Sequence, residues 1–562
     1  MTNSEITRPR PNMALPSDPN TLDGPTFKRL VEASLIWLKT NQQLINSLNV
    51  FLVLYGDTGT NMLLTMQAAY NEIAHSGEKN LGRLVHSVAQ GALMGARGNS
   101  GVILSQLWRG FSRALDSYET ANTEMIVRAL HEARNTAYKG VVRPVEGTIL
   151  TVAKDMAAEA ENQLRASADL FTLLENVTRE ADESVKRTPE LLPILKQAGV
   201  VDSGGKGLFI LLEGMLRSLK GLGLETPELT IQPLSALDME NSMEAVEEGQ
   251  DYEIVIDFQP TNPLNLETFF EDLSQMGTSI QVGEGDGMYR MHIHVPTENR
   301  YVPIDYTMKI GTVTKVAIEN LQAQMADNLE KKEMPRLNLA KVEPGQIAVV
   351  AVSPGPGISR IFGSLGVAAV VEGGQTMNPS TEEILHAFEN LPTANIVILP
   401  NNKNIILAAQ NAASMTVKKV AVIPSKNIPQ GLSAMLRHNP DGNLEHEARD
   451  MNHALGDVET GEITVATRSV ELNGVSVKEG EVIALHNGTL IHASNSIETA
   501  CLELLKKAGT EDRERITLFY GENISRAEVN KIVDKIRSTY PSHEIELHDG
   551  GQPHYQFIIA IE

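Results

Sequence analysis

The chain is poor in cysteine and in aromatic residues: its 562 positions hold one cysteine, and aromatic residues make up only 4% of them. The lone Cys501 excludes an intrachain disulfide, which fits a reducing compartment, and its place in an apolar helical run predicts a small core residue. No window holds the roughly 18 consecutive apolar residues of a membrane-spanning helix. Residues 1–24 also lack the apolar core of a signal peptide. We therefore expect a cytoplasmic protein without stable membrane insertion.

Basic residues are scarce relative to acidic ones. Against 71 Asp and Glu there are 48 Lys and Arg, and the formal net charge is −23. This balance argues against a nucleic-acid partner, which would call for basic patches. Hydrophobic residues at 42% and charged residues at 21% are typical of a globular protein. Because the chain is too long for one core, we expect several domains.

The apolar pattern changes twice along the chain. Over residues 25–223, after a flexible N-terminus at 1–24, apolar residues recur at three- and four-residue spacing. This predicts an all-α domain of about eight helices, the first at 27–44. Residues 252–323 predict a small α+β domain with strands at 252–258 and 289–295 and helices at 265–276 and 312–323. An acidic linker at 224–251 and a second linker at 324–344 flank this domain.

Residues 345–562 alternate between β and α patterns. Four apolar runs, at 347–352, 368–371, 396–399 and 420–423, predict strands of a parallel sheet with helices between them. We interpret this part as one α/β domain, in which a division into two lobes stays open.

The most informative motif is Gly-Asp-Thr-Gly-Thr-Asn-Met at residues 56–62. An apolar stretch leads into its sharp turn, and a helical pattern follows. The motif places the carboxylate of Asp57 and several backbone N–H groups at a helix N-terminus, where phosphate and magnesium can be held together. An ordinary turn with a helix N-cap is the alternative.

Three further Gly-rich turns precede apolar helical runs in the same domain. They are Gly-Ala-Arg-Gly-Asn-Ser-Gly at 95–101, Pro-Val-Glu-Gly-Thr at 144–148 and Val-Asp-Ser-Gly-Gly-Lys-Gly at 201–207. Glycines let a backbone approach a ligand, and Ser and Thr hydroxyls bind phosphate or cap a helix. Four such loops in one helical domain indicate a ligand-binding rim. None matches the Walker A pattern, which argues against a P-loop ATPase.

With these motifs the chain resembles the ATP-binding subunit of bacterial fatty acid kinase, and its first domain is similar to DhaL, the nucleotide-binding subunit of dihydroxyacetone kinase. The resemblance continues in Gly-Gly-Gln-Thr-Met-Asn-Pro-Ser-Thr at 373–381, Leu-Pro-Asn-Asn-Lys-Asn at 399–404 and Gly-Gln-Pro-His-Tyr at 551–555. It implies an eight-helix barrel with ATP and Mg²⁺ at one end. The implied reaction is phosphoryl transfer from ATP to the carboxylate of a fatty acid, which a separate acyl-binding protein presents to the kinase and the C-terminal domain engages.

The resemblance also implies roles for individual residues. Asp57 would ligate Mg²⁺ at the reacting phosphate. Arg143 and Lys206 would stabilise the charge of the transferred group, with solvated surface residues as the alternative. The implied nucleotide-binding residues are Thr58, Gly59, Thr60, Asn61, Ser100, Gly101, Thr148, Asp202, Gly204 and Gly205.

One departure from the family bears on activity. The family has Pro-Asp-Gly-Asp where this chain has Leu-Tyr-Gly-Asp at 54–57, so Tyr55 replaces a carboxylate ligand of Mg²⁺. A neutral phenol is a poor ligand for this ion, and we expect weaker metal binding, with Asn49 or a water as the substitute. A nucleotide-binding scaffold or regulator without catalysis therefore stays open. So do a dihydroxyacetone-type kinase of small polyols and a homodimeric assembly.

A metal site is also indicated in the middle domain. His292 and His294 share one face of a predicted strand, so both imidazoles can reach one zinc ion. The family completes such a site with a cysteine where this chain has Glu253, and Glu253 or Asp257 could take its place. Two structural histidines are the alternative.

The C-terminal domain offers two weaker candidates. The Gly-rich loop at 353–359 lacks the dinucleotide-binding spacing, which favours an ordinary tight turn. A binding role for Asn401, Asn402 and Lys403, at the end of a predicted strand, follows from the resemblance alone.

Overall fold

The structure is a computed structural model that describes residues 20–49, 56–141, 143–224, 232–233, 251–262, 264–285, 288–320, 337–374, 378–472 and 474–562. Tyr55, most of the predicted acidic linker and residues 324–336 of the second linker lie outside these ranges.

The first domain is α-helical, as its apolar spacing predicts. Its described part holds ten helices and a two-stranded ribbon of β1 (Thr21–Asp23) and β2 (Thr120–Asn122). The helices are α1 (Gly24–Thr40), α2 (Gln42–Ser47), α3 (Thr58–Ala74), α4 (Leu81–Met94), α5 (Gly98–Leu115), α6 (Thr123–Lys139), α7 (Ile149–Arg165), α8 (Leu170–Leu191), α9 (Pro193–Ala198) and α10 (Ser203–Leu219).

Polar caps and one shared core account for these helices. Asp23, Asn80, Asn122 and Asp169 each accept a backbone N–H from the first turn that follows, a bond that favours helix initiation. The apolar faces meet in a single cluster of buried side chains. Each long helix contacts the next along the chain, and α10 returns to contact α1. The order of contacts therefore closes on itself.

The helix predicted over 27–44 is wrong in extent, because α1 ends at Thr40 and α2 begins at Gln42. Asn41 separates them. Its side-chain amide donates to the carbonyl oxygen of Trp37 over 2.8 Å, and such local bonds compete with the helical hydrogen bonds.

The middle domain is a five-stranded sheet of order β3-β5-β6-β4-β7 with two helices. Predicted strands 252–258 and 289–295 and helix 265–276 correspond to β4, β6 and α11. The elements are β3 (Gln232–Pro233), β4 (Tyr252–Pro260), α11 (Leu266–Ser274), β5 (Thr278–Gly285), β6 (Met288–Val295), α12 (Val302–Ile310) and β7 (Gly311–Asn320).

The helix predicted over 312–323 is wrong, because Gly311–Asn320 form strand β7. This strand lies antiparallel to β4, with Val316 opposite Ile256 and Ile318 opposite Ile254. Its β-branched residues favour extended backbone. The spacing of its apolar residues also fits a helical period, so only pairing with β4 decides the conformation.

The C-terminal domain begins with the predicted parallel sheet, in the order β11-β10-β8-β9. Every residue of β8 is buried, as expected of a strand covered on both faces. The elements are β8 (Ile347–Ser353), α13 (Pro356–Ser364), β9 (Ala369–Glu372), α14 (Thr381–Glu389), β10 (Asn395–Leu399), α15 (Ile406–Ser414), β11 (Lys419–Val422), α16 (Ile428–Met435) and α17 (Leu444–Ala454).

A second, mixed sheet of order β16-β15-β12-β19-β17-β18 follows, and some of its buried residues, among them Phe519 and Ile558, join those of the first sheet in one apolar cluster. Cys501 is a free, buried thiol in α18, as predicted for a core residue. The elements are β12 (Glu459–Val465), β13 (Val470–Leu472), β14 (Val475–Val477), β15 (Val482–His486), β16 (Thr489–Ser494), α18 (Ile497–Lys507), β17 (Arg515–Tyr520), α19 (Arg526–Thr539), β18 (Glu544–Asp549) and β19 (Tyr555–Ile561).

Within the described ranges, none of the helices combines the length and the apolar content that crossing a bilayer requires.

Candidate functional site

The start of α3 rests on a close approach of two chain segments. A β-carbon on Gly56 would lie 1.9 Å from the carbonyl oxygen of Asn46 and 2.6 Å from the Cβ atom of Asn49. Only glycine therefore fits here. Asp57 follows as the N-cap residue of α3, so Asn49, the expected substitute ligand, lies beside the residue that precedes Asp57.

Two residues of α2 that no sequence motif indicated hold this turn in place. Oδ1 of Asn46 accepts the backbone N–H groups of Gly59 at 2.7 Å and Thr60 at 3.2 Å. The side-chain amides of Asn46 and Gln42 donate to the Thr60 hydroxyl at 3.1 Å and 2.9 Å. The N–H of Gly59 is thus engaged within the protein, whereas the Thr60 hydroxyl only accepts in these bonds and its proton is not used by them.

Asp57 is a buried carboxylate with neutral neighbours. Its side chain is 7% exposed, and burial raises its pKa from 3.8 to about 6, although hydrogen bonds from the side chains of Asn61 and Asn378 partly oppose the shift. The donor Asn378 belongs to the C-terminal domain, and its Nδ2 group bonds directly to Oδ2 of Asp57. No Lys or Arg of the described residues forms an ion pair with Asp57. A buried charge of this kind favours a bound cation.

Asp202 has the corresponding position at the start of α10. Its Oδ2 atom accepts the N–H of Gly205 at 2.7 Å. Burial raises its pKa to about 6 against the bonds from the backbone of Gly205 and Ile149. The Ser203 hydroxyl donates to the Thr58 hydroxyl over 3.0 Å. Asp57, which is buried, and Asp202, which is half-buried, therefore flank a pair of hydrogen-bonded hydroxyls.

The start of α7 joins the same region. Thr148 is its N-cap and accepts the N–H of Leu150 at 3.3 Å. A β-carbon on Gly204 would lie 3.3 Å from Cβ of Ile149, and one on Gly205 would lie 2.8 Å from a methyl group of Val152. These glycines let α10 pack closely on α7, which brings Thr148 and Asp202 to one end of the helical domain.

The loop at 95–101 packs α5 on α3. Gly98 has a φ of +56°, and a β-carbon there would lie 2.6 Å from Nδ2 of Asn61. A β-carbon on Gly101 would lie 2.3 Å from the Thr65 hydroxyl. Ser100 is half-buried in the first turn of α5. The loop therefore lies beside the Asp57 region, and its role in ligand binding stays a prediction.

The same loop contacts the C-terminal domain. The Arg97 guanidinium donates to both carboxylate oxygens of Glu383 at 3.0 Å and to the carbonyl oxygen of Asn378 at 3.0 Å. The N–H of Thr381 donates to the carbonyl oxygen of Ala96 at 3.1 Å. One apolar cluster spans the contact and includes Ala96, Val102, Ile384 and Ala408. The C-terminal domain thus lies directly against the predicted rim.

The side chains of Arg143 and Lys206, the two cationic residues expected at the reacting phosphate, have no described contact with the carboxylates of Asp57 or Asp202. Arg143 is exposed. The Nζ atom of Lys206 lies 3.7 Å from the carboxylate of Asp182 and 4.3 Å from the ring centre of Phe209. Neither contact of Lys206 involves Asp57 or Asp202.

The residues at the start of α3 fit a magnesium ion. Mg²⁺ is a hard cation that takes oxygen ligands, carboxylates above all among protein groups, and Asp57 supplies a buried carboxylate. Oδ1 of Asn378, 1% exposed as a residue, has no hydrogen-bond partner among the described residues. An oxygen left in this state has a vacant position for a ligand.

The structure brings three of the predicted metal ligands of the middle domain close together. Glu253, His292 and His294 are all buried, their ligand atoms lie within 4.8 Å of one another, and no other such cluster of His, Cys, Asp and Glu occurs in the described ranges. Nδ1 of His292 is 3.4 Å from the Glu253 carboxylate. Burial, with the neighbouring His294, lowers the pKa of His292 to about 4. A neutral imidazole is the form that binds zinc.

Asp257, the other candidate ligand, is engaged elsewhere. Its two carboxylate oxygens accept from Arg290 at 2.6 Å and 2.8 Å. Of the two acidic residues, Glu253 alone belongs to the histidine cluster.

The loop at 353–359 is closed against the chain. The N–H groups of Gly357 and Ile358 donate to the carbonyl oxygen of Gly550 at 3.0 Å and 3.1 Å, and a β-carbon on Gly357 would lie 1.8 Å from the carbonyl oxygen of Asp549. The donors of this helix start are therefore used internally, in keeping with a tight turn.

A small cleft lies at the carboxyl ends of β8, β9 and β10, the edge where ligands bind in open parallel sheets. Asn401 and Asn402 are buried there, and the side-chain amide of Asn401 donates to the carbonyl oxygen of Val352 at 2.8 Å. Burial raises the pKa of Glu462 to about 7, against the charge of Lys403. Other residues that line the cleft include Pro354, Lys426, Asn427, His554 and Tyr555.

The helical domain also contains a pocket of about 600 Å³ that no sequence pattern indicated. Its lining is almost wholly apolar and includes Phe27, Leu107, Trp108, Leu130, Met156 and Leu211. In the sequence these residues look like ordinary core positions.

Comparisons with known proteins cover most of the chain. Residues 56–217 match the family model of the DAK2 domain, and residues 249–328 and 348–562 match the models of the FakA-like middle and C-terminal domains of fatty acid kinase. Among solved structures, dihydroxyacetone kinase from C. freundii with AMP-PNP and Mg²⁺ is 18% identical, with 39% of this chain and 38% of that chain covered and a TM-score of 0.28. The Streptococcus pneumoniae Fatty Acid Kinase (Fak) B3 protein loaded with linoleic acid is 16% identical, with 38% and 99% covered and a TM-score of 0.28. TM-scores this low do not establish a shared fold.

Full-length relatives decide the family. "Protein YloV" of Bacillus subtilis is 40% identical over 555 residues, which cover 96% of this chain and 99% of the relative. "Uncharacterized protein SERP0792" of Staphylococcus epidermidis is 37% identical over 550 residues, again with 96% and 99% covered. Together with the matches to the DAK2 domain and to both fatty acid kinase domains, they show that the chain belongs to the FakA-like family of fatty acid kinase proteins.

Proposed function

We propose that this protein is an ATP-dependent kinase subunit that transfers the γ-phosphoryl group of ATP to the carboxylate of a fatty acid presented by an acyl-binding partner protein. The observation that carries the proposal is the pair of aspartates, the buried Asp57 and the half-buried Asp202, at the starts of two helices joined by the Thr58–Ser203 hydrogen bond. Family membership supplies the reaction class.

To catalyse this reaction the protein needs mainly to position the two substrates and to neutralise the charge of the transferred phosphoryl group. A fatty acid carboxyl group is ionised at pH 7, so attack on the γ-phosphate needs no general base. Mg²⁺, when bound, would neutralise the phosphate oxygens. Asp57 would hold it, with Asn49 nearby as a second oxygen donor. The start of α10, with Asp202, Gly204 and Gly205, and the start of α7, with Thr148, would bind the nucleotide.

The proposal extends to the architecture around the site. The closed order of helix contacts in the first domain is the expected arrangement of an eight-helix barrel with its nucleotide at one end. We place the acyl-binding partner on the C-terminal domain, where Asn401 and Asn402 line the cleft at the sheet edge and Lys403 follows them in the chain. In the middle domain, Glu253, His292 and His294 would hold a zinc ion.

Calorimetric titration of ATP into the full chain, with and without Mg²⁺, tests the nucleotide site. Asp57→Asn and Asp202→Asn remove the charges and keep the shapes, and we expect each to weaken Mg²⁺-dependent binding at least tenfold. Asp169→Asn is the matched control, because Asp169 also caps a helix of this domain through a backbone N–H at 2.7 Å but is exposed. Equal affinity in all four proteins would refute the assignment of the site.

A second assay separates the functional alternatives. Acyl phosphate formed from ATP with a fatty-acid-loaded acyl-binding protein supports the proposal. Phosphorylation of dihydroxyacetone instead would identify a polyol kinase. Tight Mg²⁺·ATP binding with neither product, across several acyl-binding proteins, would identify a nucleotide-binding scaffold.

A further inference from the structure

The C-terminal domain reaches the start of α3 in the first domain through Asn378. Nδ2 of Asn378 donates to Oδ2 of Asp57 and, at 3.4 Å, to Oδ1 of Asn61. The residue is 1% exposed. Its contacts therefore lie at the buried start of α3, although it belongs to the segment between β9 and α14.

A polar side chain of this kind needs an explanation. Oδ1 of Asn378 is buried and finds no hydrogen-bond donor among the described residues, and an unpaired buried oxygen costs free energy. The Asp57 carboxylate beside it has only neutral hydrogen-bond partners. Oδ1 of Asn378 lacks a hydrogen-bond donor, and the Asp57 carboxylate lacks a counter-charge. A single divalent cation bound between them would satisfy both groups.

The position of Asn378 is fixed by several contacts. Arg97 donates to its backbone carbonyl and, in two parallel bonds, to Glu383. Glu383 also accepts the N–H of Ser380 at 2.6 Å, and Ser380 caps α14 in return. This network holds Asn378 and the residues that follow it against the first domain, and so provides the rigid support that a metal ligand requires.

We infer that Asn378 is a ligand of the magnesium ion held by Asp57, so that the C-terminal domain completes the nucleotide site of the first domain. The inference rests on the proposed function, because it assigns a residue to the Mg²⁺·ATP site of that proposal. Nucleotide binding in the first domain and docking of the C-terminal domain are then coupled.

The test compares full-length variants by calorimetry of ATP with and without Mg²⁺, and by the Mg²⁺·ATP-induced rise in melting temperature. We expect Asn378→Ala to weaken Mg²⁺-dependent binding about tenfold and to leave Mg²⁺-free binding unchanged. Asn378→Asp should restore the Mg²⁺-dependent affinity, since a carboxylate is also a Mg²⁺ ligand. Asn404→Ala is the matched control, because Asn404 accepts from Asn99 at 3.3 Å across the same domain contact.

Each other outcome overturns the inference in a different way. If wild type and Asn378→Ala bind Mg²⁺·ATP equally, Asn378 only packs, and the proposed function stands without it. Tighter binding by Asn378→Ala would mean that the amide occupies the place of the cation. An equal loss in Asn404→Ala would show an effect of domain docking alone. If the wild-type protein binds no Mg²⁺·ATP, the proposed nucleotide site itself fails.

Discussion

The hydroxyl group of Ser203 donates a hydrogen bond to the hydroxyl group of Thr58 over 3.0 Å and joins the starts of two helices whose first residues are 145 positions apart. Each helix begins after an aspartate whose pKa burial raises to about 6. At neutral pH the folded protein therefore holds two ionised carboxylates in a poorly solvated region. Such an arrangement lowers stability in the free protein, and a bound cation relieves the cost.

Asp57→Asn should stabilise the metal-free protein at pH 7.5. The pKa of Asp57 rises from 3.8 to about 6 on folding, so the folded state binds its proton more tightly than the unfolded state does. The contribution of this group to stability is therefore full below about pH 4 and is lost as the pH rises through 6, a cost of roughly 3 kcal/mol. Urea unfolding at pH 7.5 without Mg²⁺, followed by helical circular dichroism, should show a higher midpoint for the variant.

The same measurement at pH 4 supplies the control. There Asp57 is protonated in the folded state, so the difference between variant and wild type should shrink. Asp169→Asn should bring no gain at pH 7.5, because hydrogen bonding to the N–H of Thr172 lowers the pKa of that exposed carboxyl group. A lower midpoint for Asp57→Asn at pH 7.5 would show that Asp57 has a stabilising partner.

Gly98→Ala should loosen the start of α5. The φ of +56° disfavours a side chain, and the added methyl group would meet Nδ2 of Asn61 at 2.6 Å. We expect a loss of about 1–3 kcal/mol of stability and weaker Mg²⁺-dependent ATP binding, because Asn61 bonds to Asp57. Gly77→Ala is the control, since a β-carbon there meets no atom within 4 Å. Identical melting and binding curves for the two variants would contradict this account.

Local sequence patterns predicted the features that depend on local physics. The four parallel strands follow from short apolar runs between helices, and the helices of the first domain follow from periodicity and caps. Strand β7 was missed because its apolar spacing also fits a helix and its conformation is decided by pairing with β4. The prediction joined α1 and α2 into one helix because the apolar spacing continues across Asn41. In the structure α1 ends before Asn41, whose side chain bonds back to the carbonyl oxygen of Trp37.

Long-range contacts account for what the sequence did not indicate in the site. Asp57, Thr148 and Asp202 stood out because each follows or lies in a Gly-rich turn. Asn46, which accepts two N–H groups of α3, lies in an unremarkable helix. Asn378 belongs to the 373–381 motif of the family resemblance, but it lies 321 positions from Asp57, and no periodicity or spacing links two residues so far apart.

Zinc content should follow the histidine cluster of the middle domain. We expect about one zinc per chain, measured by elemental analysis after dialysis against limiting zinc, and its loss in His292→Ala and His294→Ala. Glu253→Cys should tighten binding, because thiolate is the softer and stronger zinc ligand. His438→Ala is the control: His438 is another buried histidine, and its Nδ1 atom pairs with Glu447 at 2.7 Å. Unchanged zinc content in His292→Ala would assign the cluster a structural role.

Tyr55→Asp should strengthen Mg²⁺ binding at the start of α3. Residue 55 lies two positions before Asp57, so a second carboxylate there adds the negative charge that a divalent cation favours. We expect the Mg²⁺ concentration at half-saturation of ATP binding to fall about tenfold, and kinase activity to rise with it. Like-charge repulsion with Asp57 should lower the melting temperature without Mg²⁺. Tyr55→Phe removes only the hydroxyl group and serves as the control. If Tyr55→Asp and Tyr55→Phe give the same Mg²⁺ dependence, residue 55 lies outside the metal site, and Asp57 binds the ion without its help.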